Sequence, residues 1–260
     1  MDLRELHRAA LEFLRAWTRS RGISETTPFG EIVRNERFPL VHIANLAWVD
    51  AVPEGGPAPV LAALDGAFLG TDVVHRHVLF TDPAAAYEAQ AAFAGLGFQP
   101  TAEVALARVG LPNCIVNDEV ELREVGRDAP EDDLRTVVRA VHGDRGYTPE
   151  ESRQVHDLDR LRAADLGNRA FVGYLDGRPV ASADLWPRGR FGMIGNVGTV
   201  PAYRMKGAGR TMIFRMLETA MEERVEYALL TANLSTWTPT LYKTLGFTPV
   251  GEVRGFLRPG

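Results

Sequence analysis

Val197-Gly-Thr-Val-Pro-Ala-Tyr-Arg-Met-Lys-Gly-Ala-Gly-Arg210 runs straight into Thr211-Met-Ile-Phe-Arg-Met-Leu-Glu-Thr-Ala-Met221, and the fold turns on how this junction is read. Met212, Ile213, Met216, Leu217, Ala220 and Met221 recur at helical spacing, which predicts an amphipathic helix over 209–223. A glycine-rich basic loop opens it. The first amides of such a helix have no intrahelical acceptor, and the helix dipole adds positive potential where they point. Gly207 and Gly209 allow a ligand to come close to the backbone, while Arg204, Lys206 and Arg210 bring charge to the same loop. The expected ligand is a phosphate or pyrophosphate. No Gly-Lys-Ser/Thr run and no third glycine are present, so the two commonest phosphate loops are set aside and Arg204-x-x-Gly207-x-Gly209 remains.

Around this loop the composition is that of a soluble globular chain. Its 260 residues are 45% hydrophobic, enough for one large or two small cores. The net charge of −5 and the lack of a long basic run argue against nucleic acid as a partner. Cys114 is the single cysteine, which excludes a disulfide framework and fits a reducing cytoplasm. The charged start, Met1-Asp-Leu-Arg-Glu-Leu-His-Arg8, and the lack of any run of 18 apolar residues indicate neither export nor a membrane. Lysine occurs only at Lys206 and Lys243 among 29 basic residues, a bias suggesting a GC-rich bacterial genome.

Outward from the loop, the second half reads β-α-α-β-β-β-α-β-α-β. Strands are expected at 119–125, 171–175, 180–186, from 191 to about 200, 227–232 and 247–258; the other helices span 130–142, 149–166 and a short piece from Thr238-Pro239. The first half reads as a helix over 2–20, a strand over Phe38–Val49, a helix over 58–69, a strand over 75–80, a helix from the Asp82-Pro83 cap to about 94, and a strand over 98–108. Leu96-Gly-Phe-Gln-Pro-Thr-Ala-Glu-Val echoes Leu245-Gly-Phe-Thr-Pro-Val-Gly-Glu-Val, and Val52-Pro53 echoes Val200-Pro201. The halves read as tandem copies, 1–112 and 113–260. The first has Glu54-Gly-Gly-Pro-Ala-Pro59 where the second has its basic loop.

Val200-Pro-x-x-Arg204-x-x-Gly207-x-Gly209, followed by Tyr242-Lys-Thr-Leu-Gly246-Phe247, resembles the GNAT superfamily of N-acetyltransferases. The resemblance covers roughly 117–260. It implies an α/β (α+β) fold of two GNAT-like domains, each a mixed twisted sheet flanked by helices, with a degenerate first copy as in double-domain members. It implies acetyl-CoA as co-substrate, its pyrophosphate on the amides of Met205, Lys206, Gly207, Ala208 and Gly209, with Val200, Arg204 and Arg210 around it. Tyr242 matches the tyrosine that acts as general acid toward the leaving thiolate. With an ordinary pKa near 10 its phenol is protonated at neutral pH. The acceptor implied is the amine of a small molecule; a homodimer is open, and no metal is expected.

The pattern departs from the family's in two places. An Asn commonly stands seven positions before the tyrosine to hold the pantetheine arm; here Ser235 has that register and Asn233 lies nine before, beside Trp237 and Pro239. The strand entering the loop often carries a Glu near Asn196, where this chain has no carboxylate; a held water, Asp184 or His142 are the alternatives as base. Arg145 and Tyr147 are candidates for substrate contact. Cys114 reads as inert, His75 and His77 lack a third metal ligand, and Trp48 and Trp186 read as core or cleft-lining rings. The rival function is a non-catalytic CoA-binding or partner-binding module.

Overall fold

A computed structural model describes residues 2–260. In chain order its elements are α1 (Leu3–Ser20), β1 (Ile23–Thr27), β2 (Gly30–Arg34), β3 (Leu46–Val49), α2 (Ala58–Ala67), β4 (Arg76–Phe80), α3 (Pro83–Gly95), β5 (Gln99–Arg108), β6 (Glu121–Glu124), α4 (Glu131–Asp144), α5 (Pro149–Leu166), β7 (Arg169–Leu175), β8 (Arg178–Arg188), β9 (Phe191–Thr199), α6 (Ala208–Glu222), β10 (Tyr227–Asn233), α7 (Thr238–Thr244) and β11 (Thr248–Arg258). The β-α-α-β-β-β-α-β-α-β series read for the second half is present. The chain divides into two compact units.

The first unit comprises Met1–Ala105, Ala232–Thr238 and Val250–Gly260. Its strands lie in the order β1-β2-β3-β4-β11, with β5 beyond β11. β1, β2 and β3 are antiparallel neighbours, β3 and β4 are parallel, and β11 returns antiparallel to β4. Val60, Leu64 and Phe93 from α2 and α3 pack on Val78 and Phe80 of the sheet. Leu46, Trp48 and Leu79 face the other way, against Leu11 and Leu14 of α1, and the Trp48 indole donates to Thr18 Oγ1 at 2.9 Å. Residues on alternate sides of a pleated strand make this two-faced packing possible.

Three expectations are corrected here. The final strand of the chain belongs to the first unit, so the contiguous division into 1–112 and 113–260 does not hold. Strand pairing groups it there, because β11 lies antiparallel along the edge of β4. Second, Phe38–Val49 is not one strand. Asn45 Nδ2 donates to the carbonyls of Phe38 and Val41 at 3.0 and 3.2 Å, which pins residues 38–45 in turns and leaves only Leu46–Val49 extended. Third, the hairpin of β1 and β2 was not expected, because Ile23-Ser-Glu-Thr-Thr27 is an exposed polar edge with no apolar alternation.

The second unit comprises Leu106–Thr231 and Pro239–Pro249. Its strands run β10-β9-β8-β7-β6, with β10 parallel to β9 and the others antiparallel. β7 and β8 are joined at Asp176-Gly177, both with positive φ (52° and 71°), as a tight two-residue hairpin needs. Val172 packs with Leu134, Val137 and Val141 of α4, while a Cβ at the adjacent Gly173 would lie 2.7 Å from Met212 Sδ of α6. Helices therefore cover both faces, and Gly173 is small because α6 lies so close.

Candidate active site

The second unit gathers three features. The first is the loop from β9 to α6. Val200 is anchored by its amide to Val180 O (2.8 Å), and Pro201–Tyr203 make a single 3-10 turn. Met205 and Gly207 then take positive φ (62° and 82°), with Gly207 at the N-cap of α6 and offering no side-chain cap. Thr211 N donates to Gly207 O at 2.9 Å, so the amides of Ala208, Gly209 and Arg210 precede the helical ladder. Asn117 braces the loop through Nδ2 to Lys206 O (2.9 Å) and its own amide to Thr211 Oγ1 (2.8 Å). A Cβ at Gly207 would sit 3.2 Å from Asn117 Cβ, and one at Gly209 3.0 Å from Thr199 Oγ1. Gly207 is thus favoured by its left-handed backbone, and both glycines by close neighbours.

The cations of the loop are partly engaged. Arg204 forms an ion pair with Asp144 at the end of α4, Lys206 Nζ stands 5.1 Å from the Tyr203 ring centroid, and Arg210 reaches Ile115 O at 3.4 Å. Asp144 was missed in the sequence because its partner is 60 positions away.

The second feature is Tyr242 on α7. It is buried, its ring 5.9 Å from that of Phe247, and burial pushes its phenol up to about 12, with Arg145 pulling the other way. It is a proton donor throughout the neutral range. Gly246, at φ 77°, closes the helix where any Cβ would strike the Arg108 guanidinium.

The third feature is a small solvent-connected cavity between α4, α5, β8 and β9, with a volume of about 50 Å³. Leu134, Val138 and Val141 form an apolar wall; His142, Asp159, Asp184 and Asn196 are among its polar residues. Asn196 sits at φ 49° where the β8–β9 register shifts, a conformation that asparagine tolerates better than most residues. From there Nδ2 donates to Asp184 Oδ2 (2.7 Å) and to Asp159 Oδ2 (3.1 Å). Asn168 Nδ2 also donates to Asp184 Oδ2, at 3.2 Å. Burial, reinforced by Asp159, raises the Asp184 carboxyl to about 6 against the pull of the two asparagine donors. His142 bonds Ser152 Oγ at 3.0 Å and stacks on Tyr147 (4.7 Å); burial, and then Arg145, lower its pKa.

The Acetyltransferase (GNAT) family model matches residues 137–247, which span the end of α4, the loop, α6 and α7. Residues 137–247 are a GNAT acetyltransferase domain. No curated protein matches the chain by sequence. Among solved structures, a functionally unknown conserved protein from Staphylococcus epidermidis ATCC 12228 superposes with TM-score 0.73 and 15% identity, over 92% of this chain and 94% of that one. A GCN5-related N-acetyltransferase from Sphaerobacter thermophilus gives 0.58 and 15%, over 77% and 66%. A tandem GNAT protein from the clavulanic acid biosynthesis pathway gives 0.55 and 14%, over 81% and 74%. At these identities the likeness is one of fold.

The GNAT domain holds Val200, Arg204 to Arg210 and Tyr242 in the second unit, together with Arg145, Tyr147, His142 and Asp184. Arg145, a cavity residue that also acts on Tyr242 electrostatically, stands one position after the Arg204 partner Asp144, so the end of α4 serves all three features. Asn233 and Ser235 fall in the first unit and bond to each other: Asn233 Oδ1 accepts from the Ser235 amide (2.8 Å) and hydroxyl (2.7 Å). Those side chains are engaged in a local turn. Cys114 is a free thiol, and Trp48 and Trp186 are buried as read. His75 and His77 are also buried, donating from Nε2 and Nδ1 to the carbonyls of Asn45 and His42 respectively. Asn168 and Asp159 were missed; nothing in a sequence links them to Asp184 before the sheet forms.

Proposed function

We propose that the chain is an acetyl-CoA-dependent N-acetyltransferase that moves an acetyl group directly to the amine of a small molecule. One observation carries this reading: an uncapped helix N-terminus, with glycines in close contact with neighbouring atoms and cations around it, lies in the same unit as a buried protonated tyrosine. The residues fit the coenzyme. Amides from Met205 to Gly209 would hold its pyrophosphate, with Lys206 and Arg210 beside them and Val200 setting the turn. Acetyl-CoA supplies the activated acyl group. Tyr242 delivers a proton to the departing sulfur, and a phenol held near 12 does so without first ionising. Arg204 would add charge to the site while Asp144 fixes its orientation. Asn233 and Ser235 enter as candidates for the pantetheine arm. The single free Cys114 supports a cytoplasmic setting. Calorimetry tests the coenzyme site: an Arg204→Glu, Gly209→Glu double variant is expected to lose acetyl-CoA affinity at least tenfold, and unchanged binding would sink the assignment.

A non-catalytic CoA-binding module is the second reading, favoured by the commitment of Arg204 to Asp144 and of Asn233 to Ser235. It predicts acetyl-CoA binding with no amine-dependent thiol release across a broad amine panel.

A further inference from the structure

The basic loop before α6 contains two left-handed residues, Met205 and Gly207, with Lys206 at negative φ between them. Left-handed backbone is unfavourable for a methionine, so this shape relies on support from outside the loop. Asn117, in the segment that leads to β6, supplies it. All four polar groups of Asn117 are engaged. Its amide donates to Thr211 Oγ1 at 2.8 Å, and its carbonyl accepts from the Val120 amide at 3.0 Å. In the side chain, Oδ1 accepts from the Glu119 amide at 3.0 Å and Nδ2 donates to Lys206 O at 2.9 Å. The turn at Glu119 decides which end of the carboxamide faces the loop: an oxygen must meet the Glu119 N–H, so the nitrogen meets the Lys206 carbonyl.

That bond fixes a direction. No peptide is cis among the described residues, and in a trans peptide the C=O of one residue and the N–H of the next point opposite ways. Holding Lys206 O toward Asn117 therefore turns the Gly207 N–H away from Asn117. This N–H makes no hydrogen bond among the described residues. Gly207 is the N-cap of α6, so its amide is the first of those that precede the helical ladder. A negative φ at Lys206 followed by a positive one at Gly207 is the geometry in which successive amides converge on an anion. A flipped peptide would present an oxygen where the anion needs a donor. Glycine accepts either sign of φ, so Gly207 does not itself prevent the flip.

We propose that Asn117 is a positioning residue for the coenzyme: it holds the Lys206–Gly207 peptide in the orientation that aims the Gly207 N–H at the pyrophosphate. The proposal rests on the acetyltransferase reading for the identity of the anion. Asparagine suits the position because one planar group supplies an acceptor for Glu119 and a donor for Lys206. Aspartate would set a second oxygen against Lys206 O, and serine can keep the turn at Glu119 but is too short to reach that carbonyl. The close approach also explains the glycine, since a Cβ at Gly207 would lie 3.2 Å from Asn117 Cβ. With partners 89 and 94 positions away, the role has no signature in the sequence.

The test uses the full chain, nitrogen-labelled at glycine, with inorganic pyrophosphate and acetyl-CoA as probes. In the wild type the Gly207 amide resonance is expected to move saturably with each of them, and not with sodium chloride at matched ionic strength. Asn117→Ser keeps a turn acceptor and removes the donor to Lys206. In it the Gly207 movement should fall to less than half, and the acetyl-CoA Kd from calorimetry should rise about fivefold or more, with the urea midpoint close to that of the wild type. Asn117→Asp is isosteric and also keeps the turn; at high salt, where its charge is screened, it should show the same loss, which covers a serine variant that does not fold. An unchanged Gly207 movement and Kd in either folded variant would overturn the proposal. So would a Kd that rises only in step with lost stability while the Gly207 movement persists. A wild type whose Gly207 amide answers pyrophosphate but that does not bind acetyl-CoA would remove the acetyltransferase reading and leave the role of Asn117 standing; a Gly207 amide that answers neither anion would overturn the role itself.

Discussion

The two units repeat one series, helix-strand-strand-strand-helix-strand-helix: α1-β1-β2-β3-α2-β4-α3 in the first and α5-β7-β8-β9-α6-β10-α7 in the second. The strand directions repeat as well, two antiparallel pairs and then a parallel one. The chemistry does not. Loops 50–57 and 200–207 have equal length, so the structural repeat sets Val52-Pro53 two positions out of register with Val200-Pro201. Where Gly207 caps α6 at φ 82°, Pro57 precedes α2 and Pro59 sits in its first turn, so two positions lack a donor amide. Instead of three cations, the first loop has Glu54 and Asp50, the latter bonded to Arg15 at 2.6 and 2.9 Å. In place of Tyr242 stands Phe93, three residues before the same Leu-Gly-Phe turn and stacked on Phe256 at 4.4 Å. Three residues before the end of the strand, Leu46 replaces Asn196 and pairs with the buried Val33. A shared scaffold thus tolerates either an apolar core or a polar site at the same positions, because the strand ladder and helix packing do not depend on those side chains.

The largest expected effect comes from making the second copy like the first. Tyr242→Phe should lower turnover by about 10²-fold or more. Folding stability should change by less than ~1 kcal/mol, since Phe93 shows the ring alone packs well. Thiol-release kinetics and urea unfolding read the two quantities; equal losses in both would mean that the hydroxyl is structural.

Buried titratable groups should give the units opposite pH dependence. Asp184 is raised from 3.8 to about 6, so the folded state holds its proton more tightly; its stabilising contribution is complete below 3.8 and is lost as pH rises through 6. Asp184→Asn should therefore be more stable than the wild type at pH 8, by on the order of 2–3 kcal/mol, with the difference gone below pH 4. His77 and His75 are lowered from 6.5 to about 4 and about 3 by burial. The unfolded chain binds their protons first, and stability should fall as pH drops from 6.5 toward 3. His77→Gln should flatten that decline in denaturation followed from pH 7 to 4; an unaltered slope would count against a neutral buried imidazole.

A smaller effect separates the glycines. Gly207→Ala should cost about 1–2 kcal/mol, from its left-handed backbone and the Asn117 contact, and should weaken acetyl-CoA binding. Gly56→Ala, at φ 70° with open space around it, should cost about 1 kcal/mol and leave that affinity unchanged. Smallest of all, Glu54→Ala should change stability by less than ~0.5 kcal/mol and acetyl-CoA affinity not at all; a measurable gain in affinity would show that the first loop repels a coenzyme it can otherwise reach.

The element order of the second unit, the uncapped loop and the protonated Tyr242 were legible in the residues, because amphipathic periodicity, glycine placement and the ordinary pKa of a phenol are local properties of the chain. The first hairpin was not, since Ile23–Thr27 gains its pairing from β2 rather than from an apolar face of its own. Strand exchange into the first unit could not be read either: β11 follows α7 in the chain but hydrogen-bonds to β4, and edge pairing is chosen by what is open when the sheets form. The same holds for the site. Asp159, Asn168, Asp184 and Asn196 come from four separate segments, and the raised Asp184 carboxyl exists only once burial and its neighbours surround it. What the sequence by itself determined was the local chemistry of the loop and tyrosine; only the tertiary structure decided which distant polar groups share one cavity, because desolvation and charge coupling arise from packing and not from order along the chain.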